Sequence, residues 1–360
     1  MTPVRARLER FERPLDQPFR NAGRAYSSRT GAHLILETDR AVFLGEASPL
    51  PGFSRETADE AARELKRAIP AIENLAVSLL STAALLEETG KLFSCPSARF
   101  AAETALLARA AYESGLPVAR LLSSHVREEV PVSCVLPVSR KEETRLRIEW
   151  ALSSGVRCFK VKAGPSEKDN AALLLWIRKE LPEGIRLRVD ANGCWNTEEA
   201  LQHIKALAPF DLEYVEQPVA AETSPDAIGE LCEKSPVPVA LDESACFPEA
   251  IELFLDKKIR ALFILKPAVL GGVAATLKAA RLIHAQGAEA ILSSSLDGAV
   301  GRRMNFEIAC ALPFCIRPAG LWTTGFSRES ESDNLELRSG SLFRRLESLQ
   351  EHRRALGAAI

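Results

Sequence analysis

The sequence predicts an α/β protein in which a closed parallel barrel of βα units follows a smaller α+β domain. Three observations predict it. From about Val130 onward, short apolar runs alternate with amphipathic stretches, the pattern of β-then-α units around a parallel sheet. Eight such runs follow one another, enough to close a barrel. An open doubly wound sheet would carry a glycine-rich phosphate turn early in the series, and no G-x-G-x-x-G occurs.

The 360 residues divide into an α+β domain over 1–125, a barrel over 126–320, and a segment 321–360 expected to fold back over the first domain. Strand-like runs occupy 4–11, 32–37 and 41–45, with Thr38-Asp39-Arg40 as a hairpin connection between the last two. Helical patterns follow: one opening after Ser54 as N-cap, one at 77–86, and one at 97–113 with core-facing positions recurring at Phe100, Ala101, Thr104, Ala105, Leu106 and Ala108. The barrel strands are predicted at 130–138, 158–162, 186–191, 212–216, 237–242, 261–266 and 288–293, with a weaker eighth at 315–318. Helices are predicted between them at 139–153, 167–181, 197–206, 225–233, 248–256, 272–286 and 301–311.

Composition narrows the function. Hydrophobic residues make up 46% and charged residues 26%, close to globular averages. Lysine and arginine total 46 against 48 acidic residues, so no global basic field exists to hold nucleic acid or an anionic membrane. The N-terminal stretch lacks the apolar core of a signal peptide, and no run approaches a membrane span. The eight cysteines are scattered without a C-x-x-C pair, which leads to the expectation of reduced thiols in a cytoplasmic protein. With only 5 histidines, a clustered zinc site is not expected.

The charged residues near the strand ends carry the chemistry. Lys160 and Lys162 close the second barrel strand, Asp190 the third, Glu216 the fourth, Asp242 the fifth and Lys266 the sixth. From Lys162 onward the steps are 28, 26, 26 and 24 residues, one per βα unit. A barrel draws its catalytic groups from this rim. Three carboxylates facing one axis repel unless a cation joins them, and an all-oxygen donor set selects a hard divalent ion, Mg²⁺ first and Mn²⁺ second. Lys160 and Lys162 lie two apart and share a strand face. Neighbouring ammonium groups near a cation disfavour each other's charged form, which would free a neutral amine to act as a base. With Lys266 opposite, the set suits proton abstraction α to a carboxylate. Each residue alone has a plainer reading: a strand-end Asp often caps the next helix, Asp190 before Asn192-Gly193 fits a turn, Glu216-Gln217-Pro218 a polar strand exit, and the lysines a salt-bridged edge. The ordered set is what points to a site.

These residues resemble the enolase superfamily, and within it the muconate-lactonizing subgroup. The likeness rests on Gly45-Glu46-Ala47-Ser48-Pro49-Leu50-Pro51-Gly52-Phe53-Ser54, Phe159-Lys160-Val161-Lys162, Val189-Asp190-Ala191-Asn192-Gly193, Val215-Glu216-Gln217-Pro218, Leu241-Asp242-Glu243-Ser244 and Leu265-Lys266-Pro267. The resemblance implies a modified (β/α)7β TIM-like barrel with an α+β capping domain. It implies that Asp190, Glu216 and Asp242 bind Mg²⁺ and that Lys162 and Lys266 act on opposite faces of a small-molecule carboxylate. Lys160, Asn192 and Glu243 would orient those groups.

Within the subgroup, the Pro49–Ser54 segment, the Leu265–Gly272 run and Ser293-Ser294-Ser295 look most like the o-succinylbenzoate synthase family. That likeness implies dehydration of 2-succinyl-6-hydroxy-2,4-cyclohexadiene-1-carboxylate (SHCHC). It also implies that Ser293, Ser294, Arg29, Gly52 and Phe53 contact substrate, with the loop 24–31 helping to close the site. The serine run reads equally as a polar turn, and Arg29 as a solvated surface residue. Asp297-Gly298 departs from the family's Glu-Ser at that point. The dipeptide epimerases of the subgroup carry Asp-x-Asp at the eighth strand, where this chain reads Ile316-Arg317-Pro318. Competing readings are an N-acylamino-acid racemase with the same lysines, a metal-free Schiff-base lyase, and a non-catalytic barrel. The sequence does not set the oligomeric state.

Overall fold

The computed structural model describes residues 4–21, 24–138, 140–322 and 334–345. The first domain opens with an antiparallel sheet of β1 (Arg5–Asn21), β2 (Arg24–Glu37) and β3 (Val42–Ala47). The expected strand at 4–11 is therefore the root of a much longer hairpin, and the expected loop 24–31 is strand. The ladder runs unbroken from Arg5↔Glu37 to Pro14↔Ser28 and then shifts register. Pro14 has no N–H to continue the pairing, so the irregularity falls there.

Helices Ala58–Glu73, Thr82–Gly90 and Pro96–Ser114 cover the sheet. The first starts at Thr57, not Ser54. Thr57 and Glu60 form a reciprocal capping box, each satisfying an amide of the other, whereas the Ser54 hydroxyl accepts from Leu50 N inside a preceding turn. The last helix lies so close to β3 that a Cβ on Gly45 would sit 1.8 Å from the Ala101 carbonyl oxygen. Only glycine permits that approach.

The barrel follows β4 (Glu129–Pro131) and comprises β5 (Cys134–Val135), β6 (Cys158–Lys162), β7 (Arg186–Asp190), β8 (Leu212–Glu216), β9 (Val239–Leu241), β10 (Leu262–Leu265) and β11 (Glu289–Leu292). These seven are parallel and neighbour one another in chain order. Closure comes from Ala319 and Gly320, which bridge to Val132 and Ser293 respectively. The eighth strand is thus two residues long and lies just past the predicted 315–318, because Pro318 has no N–H to pair. The predicted strand 130–138 is split between two sheets: β4 turns away to pair with β13 of a hairpin, β12 (Leu335–Arg338) and β13 (Ser341–Arg344). That hairpin is the described part of the C-terminal segment, and its strand partner is β4 rather than the first domain's sheet. The rest of 321–360 beyond Trp322 lies outside the described residues.

Side-chain alternation sorts the barrel into two environments. Phe159, Val161, Leu187, Val189, Val215, Leu241, Phe263 and Leu265 pack outward into the main core beneath the helices. Tyr214, Ala240, Leu262, Ile264 and Ile291 form a separate cluster in the interior. Below them the buried Arg188 guanidinium lies over the Tyr214 ring and donates to Glu213 at 2.6 Å, and Arg317 joins the same carboxylate at 2.8 Å. Continuing the inward parity up the strands leads to Lys162, Asp190, Glu216, Asp242, Lys266 and Ser293. No helix among the described residues is long and apolar enough to cross a membrane.

Candidate active site

Sheet register brings the predicted residues abreast. Lys162 pairs with Asp190 and Asp190 with Glu216, so neighbouring strands deliver one ammonium and two carboxylates side by side. Asp242 follows β9, and Lys266 follows β10. Asp190, Glu216 and Asp242 are all buried.

The ammonium groups sit among these acids. Lys160 Nζ lies 2.8 Å from Glu216 Oε1 and 3.4 Å from Asp190 Oδ2. Lys162 Nζ lies 3.7 Å from Asp190 Oδ2 and donates to Asn192 Oδ1. Lys266 Nζ donates to Asp242 Oδ2 at 2.6 Å. Burial alone would lower the Lys160 pKa, but Glu216 and Asp190 outweigh it and raise it well above the ordinary lysine value. The nearest groups to Lys160 are thus carboxylates. Burial is also the largest effect on Glu216, pushed up to about 7, with Asp190 and Asp242 adding to the rise and Lys160 opposing it. Glu243 is pushed up to about 8, first by burial and then by Asp242.

These carboxylates are short of positive charge. Asp242 Oδ1 and Glu243 Oε2 are buried without a partner. A buried, unpaired carboxylate oxygen is costly, and a hard divalent cation is the group an all-oxygen set accommodates. Among the described residues no three Asp, Glu, His or Cys side chains already cup an ion. Lys160 and Lys266 occupy the space between the acids instead, so Asp190, Glu216 and Asp242 suit a metal by donor chemistry and shared parity.

Supporting residues follow. Asn192 donates to Glu243 Oε1 at 3.2 Å while accepting from Lys162, so it links the two ends of the set. Phe53 reaches the site from the first domain, its ring centroid 3.7 Å from Lys266 Nζ. Gly52 forms the preceding turn at φ 86° and is exposed. Ser293 stands at the barrel seam beside Gly320, and the Ser294 hydroxyl donates to Asp297 Oδ2 at 3.0 Å. Arg29 is not solvated: it is 1% exposed and donates to the carbonyls of Ser48, Pro49 and Ser295. Its place on a long strand, invisible to a loop reading, buries it at the junction of the two domains.

Sequence reasoning assigned no role to Gln217, although it lies in the quoted Val215-Glu216-Gln217-Pro218 run. Its Oε1 accepts from the Asp242 and Ser244 amides, and its Nε2 donates to Val219 O and Ser244 Oγ. Gln217 thereby fixes the backbone that presents Asp242. A positive φ of 40° at a buried polar residue follows from this packing and has no local sequence signal.

Residues 144–342 match the family described as "Enolase C-terminal domain-like", and residues 4–108 match the one described as "MenC, N-terminal domain". The chain belongs to the enolase superfamily. Among its superfamily relatives, an o-succinylbenzoate synthase of Thermobifida fusca is 35% identical over 201 residues, spanning 55% of this chain and 61% of that protein. An N-succinyl-L-Arg/Lys racemase of Bacillus cereus is 23% identical over 300 residues, spanning 82% and 80%. The muconate lactonizing enzyme from Pseudomonas fluorescens, solved with muconolactone, superimposes with a TM-score of 0.85 at 24% identity over 99% of both chains. That likeness establishes the modified TIM-like barrel with its capping domain.

Proposed function

We propose that this superfamily member is an o-succinylbenzoate synthase, which dehydrates SHCHC to 2-succinylbenzoate in menaquinone biosynthesis. The observation that carries the reading is the row Lys162, Asp190, Glu216, Asp242, Lys266, with one lysine at each end of three buried acids. The synthase-named relative and the N-terminal family match favour this member of the superfamily. Asp190, Glu216 and Asp242 would hold Mg²⁺, or Mn²⁺, which when bound supplies positive charge beside the substrate carboxylate and makes the adjacent carbon more acidic.

The residues of the chain then act in turn. Lys162 takes the proton from the carbon α to the carboxylate, and Lys266 holds the developing negative charge from the other end of the row. The ring C–O bond breaks as Lys162 returns its proton to the departing hydroxyl, which leaves as water and yields the aromatic product. Asn192 keeps the Lys162 amine directed along the row. Ser293 and Ser294 lie at the seventh strand end, suited to the distal succinyl carboxylate, with Asp297 fixing the Ser294 hydroxyl.

The test is SHCHC turnover with and without Mg²⁺, followed by the absorbance of the aromatic product. Metal-dependent product formation, lost in Lys162→Ala, is expected. The racemase-named relative motivates the second reading. Absence of SHCHC turnover, together with α-deuteration and racemisation of an N-succinylamino acid in D₂O, overturns the first.

A further inference from the structure

Away from the carboxylates, a second buried cluster joins the first domain to the turn after β11. Arg13 and Arg29 are direct partners across the β1–β2 hairpin, and both are buried. Like charges placed opposite one another on a hairpin repel, so something must compensate them. Arg13 donates to Leu296 O at 3.3 Å, and Arg29 donates to Ser295 O at 3.2 Å. Glu46, 2% exposed, lies 3.5 Å from Arg13 and accepts from the amides of Gly298 at 2.7 Å and Gly301 at 3.2 Å. Those amides begin the helix Ala299–Cys310, where a carboxylate is favoured by the free N–H groups and the helix dipole.

The glycines make this possible. A Cβ on Gly298 would sit 2.1 Å from Arg13 Nη1 and 2.7 Å from Glu46 Oε2, and one on Gly301 would meet the Asp297 Cβ at 2.7 Å. From the barrel side, Asp297 accepts from Ser294 Oγ, Ser295 Oγ and Asn305 Nδ2. The Asp297-Gly298 pair that departs from the family pattern is therefore one half of an interdomain clasp whose other half is Arg13, Arg29 and Glu46.

We propose that Arg13, Arg29 and Glu46 are positioning residues that set the Ser293–Asp297 turn from the capping domain, so that recognition of the substrate's distal group depends on domain closure. This inference rests on the reading of Ser293 and Ser294 given above. Glu46→Gln keeps the shape and one acceptor but loses the charge facing Arg13 and turns an NH₂ toward a backbone N–H.

Two readouts test it on the full chain. In Glu46→Gln, hydrogen exchange at the Gly298 and Gly301 amides should accelerate about tenfold or more, with β6 unaffected. KM for SHCHC should rise about tenfold while kcat stays within about threefold. Unchanged exchange overturns the clasp, and an equal loss in kcat with KM unmoved overturns its role in recognition. If the wild type does not dehydrate SHCHC, the functional reading has failed and the exchange measurement still decides the clasp. Should Glu46→Gln fail to fold, Gly301→Ala perturbs the same contact from the barrel side and should give the same exchange signature.

Discussion

The two sides of the candidate site are built in opposite ways. The side formed by β6 to β10 takes each functional group from a strand end, with spacing set by the ladder itself. The side formed by the turn after β11 takes its shape from residues far away in the chain: Glu46 to Gly298 spans 252 positions, Arg29 to Ser295 spans 266, and Arg13 to Leu296 spans 283. One side is preset by the barrel, and the other is held both by its own hydrogen bonds through Asp297 and by contacts from the first domain. In the proposed reading the two sides have separate tasks: the strand-end side would perform the chemistry, and the turn side would select what is held there.

Substitutions break the comparison in order of size. Lys162→Ala and Lys266→Ala should each lower kcat for SHCHC by about 10³-fold with little change in KM, checked by steady-state kinetics. Retention of a tenth of wild-type kcat would remove the lysine from its role. Asn192→Ala, which removes one partner from each of Lys162 and Glu243, should cost about 10- to 100-fold in kcat or in the Mg²⁺ concentration giving half-maximal activity. The Glu46→Gln effect described above comes next and belongs to KM. Phe53→Leu removes the ring over Lys266 and should change kcat/KM by about threefold.

The smallest expected effect on activity concerns Glu307, which is remote from the lysine row and binds the Ala119 amide and Arg344. Burial would raise its pKa, but Arg303 and Arg344 prevail and hold it below the ordinary carboxylate range. A lowered carboxylate pKa stabilises the fold above the unfolded value of about 4.3, and that contribution is lost as pH falls through the lowered one. Glu307→Gln should therefore destabilise by about 3 kcal/mol at pH 7, with the gap from wild type narrowing in acid, measured by denaturant unfolding at both pH values. An equal gap at pH 7 and below pH 4 contradicts the ion-pair account.

What was legible in the sequence follows the same division. Lys162, Asp190, Glu216, Asp242 and Lys266 could be read because strand alternation is local and each ends an apolar run. The barrel's strands were legible for the same reason, except at the seam, where Pro318 displaces pairing to Ala319 and Gly320. Arg29 could not be placed, because a run such as Ser27-Ser28-Arg29-Thr30 has no apolar alternation and becomes strand only through its partners in β1. Ser54 and Thr57 offer rival caps three residues apart, and only the Thr57–Glu60 reciprocity decides between them. Glu46 lies in the Gly45–Ser54 run, yet nothing nearby in sequence indicates that it reaches a helix more than two hundred residues away.

The ion-paired base of the barrel has a kinetic consequence. Arg188, Glu213 and Arg317 seal the interior below Tyr214, and Ile264 and Ile291 fill the space above them. These side chains close the base of the barrel, and the acid row lies at the opposite end, where Phe53 of the first domain meets Lys266. In the proposed reaction the incoming cyclohexadiene and the aromatic product occupy the same place beside the acid row. Product and substrate then exclude one another, and 2-succinylbenzoate should inhibit turnover competitively.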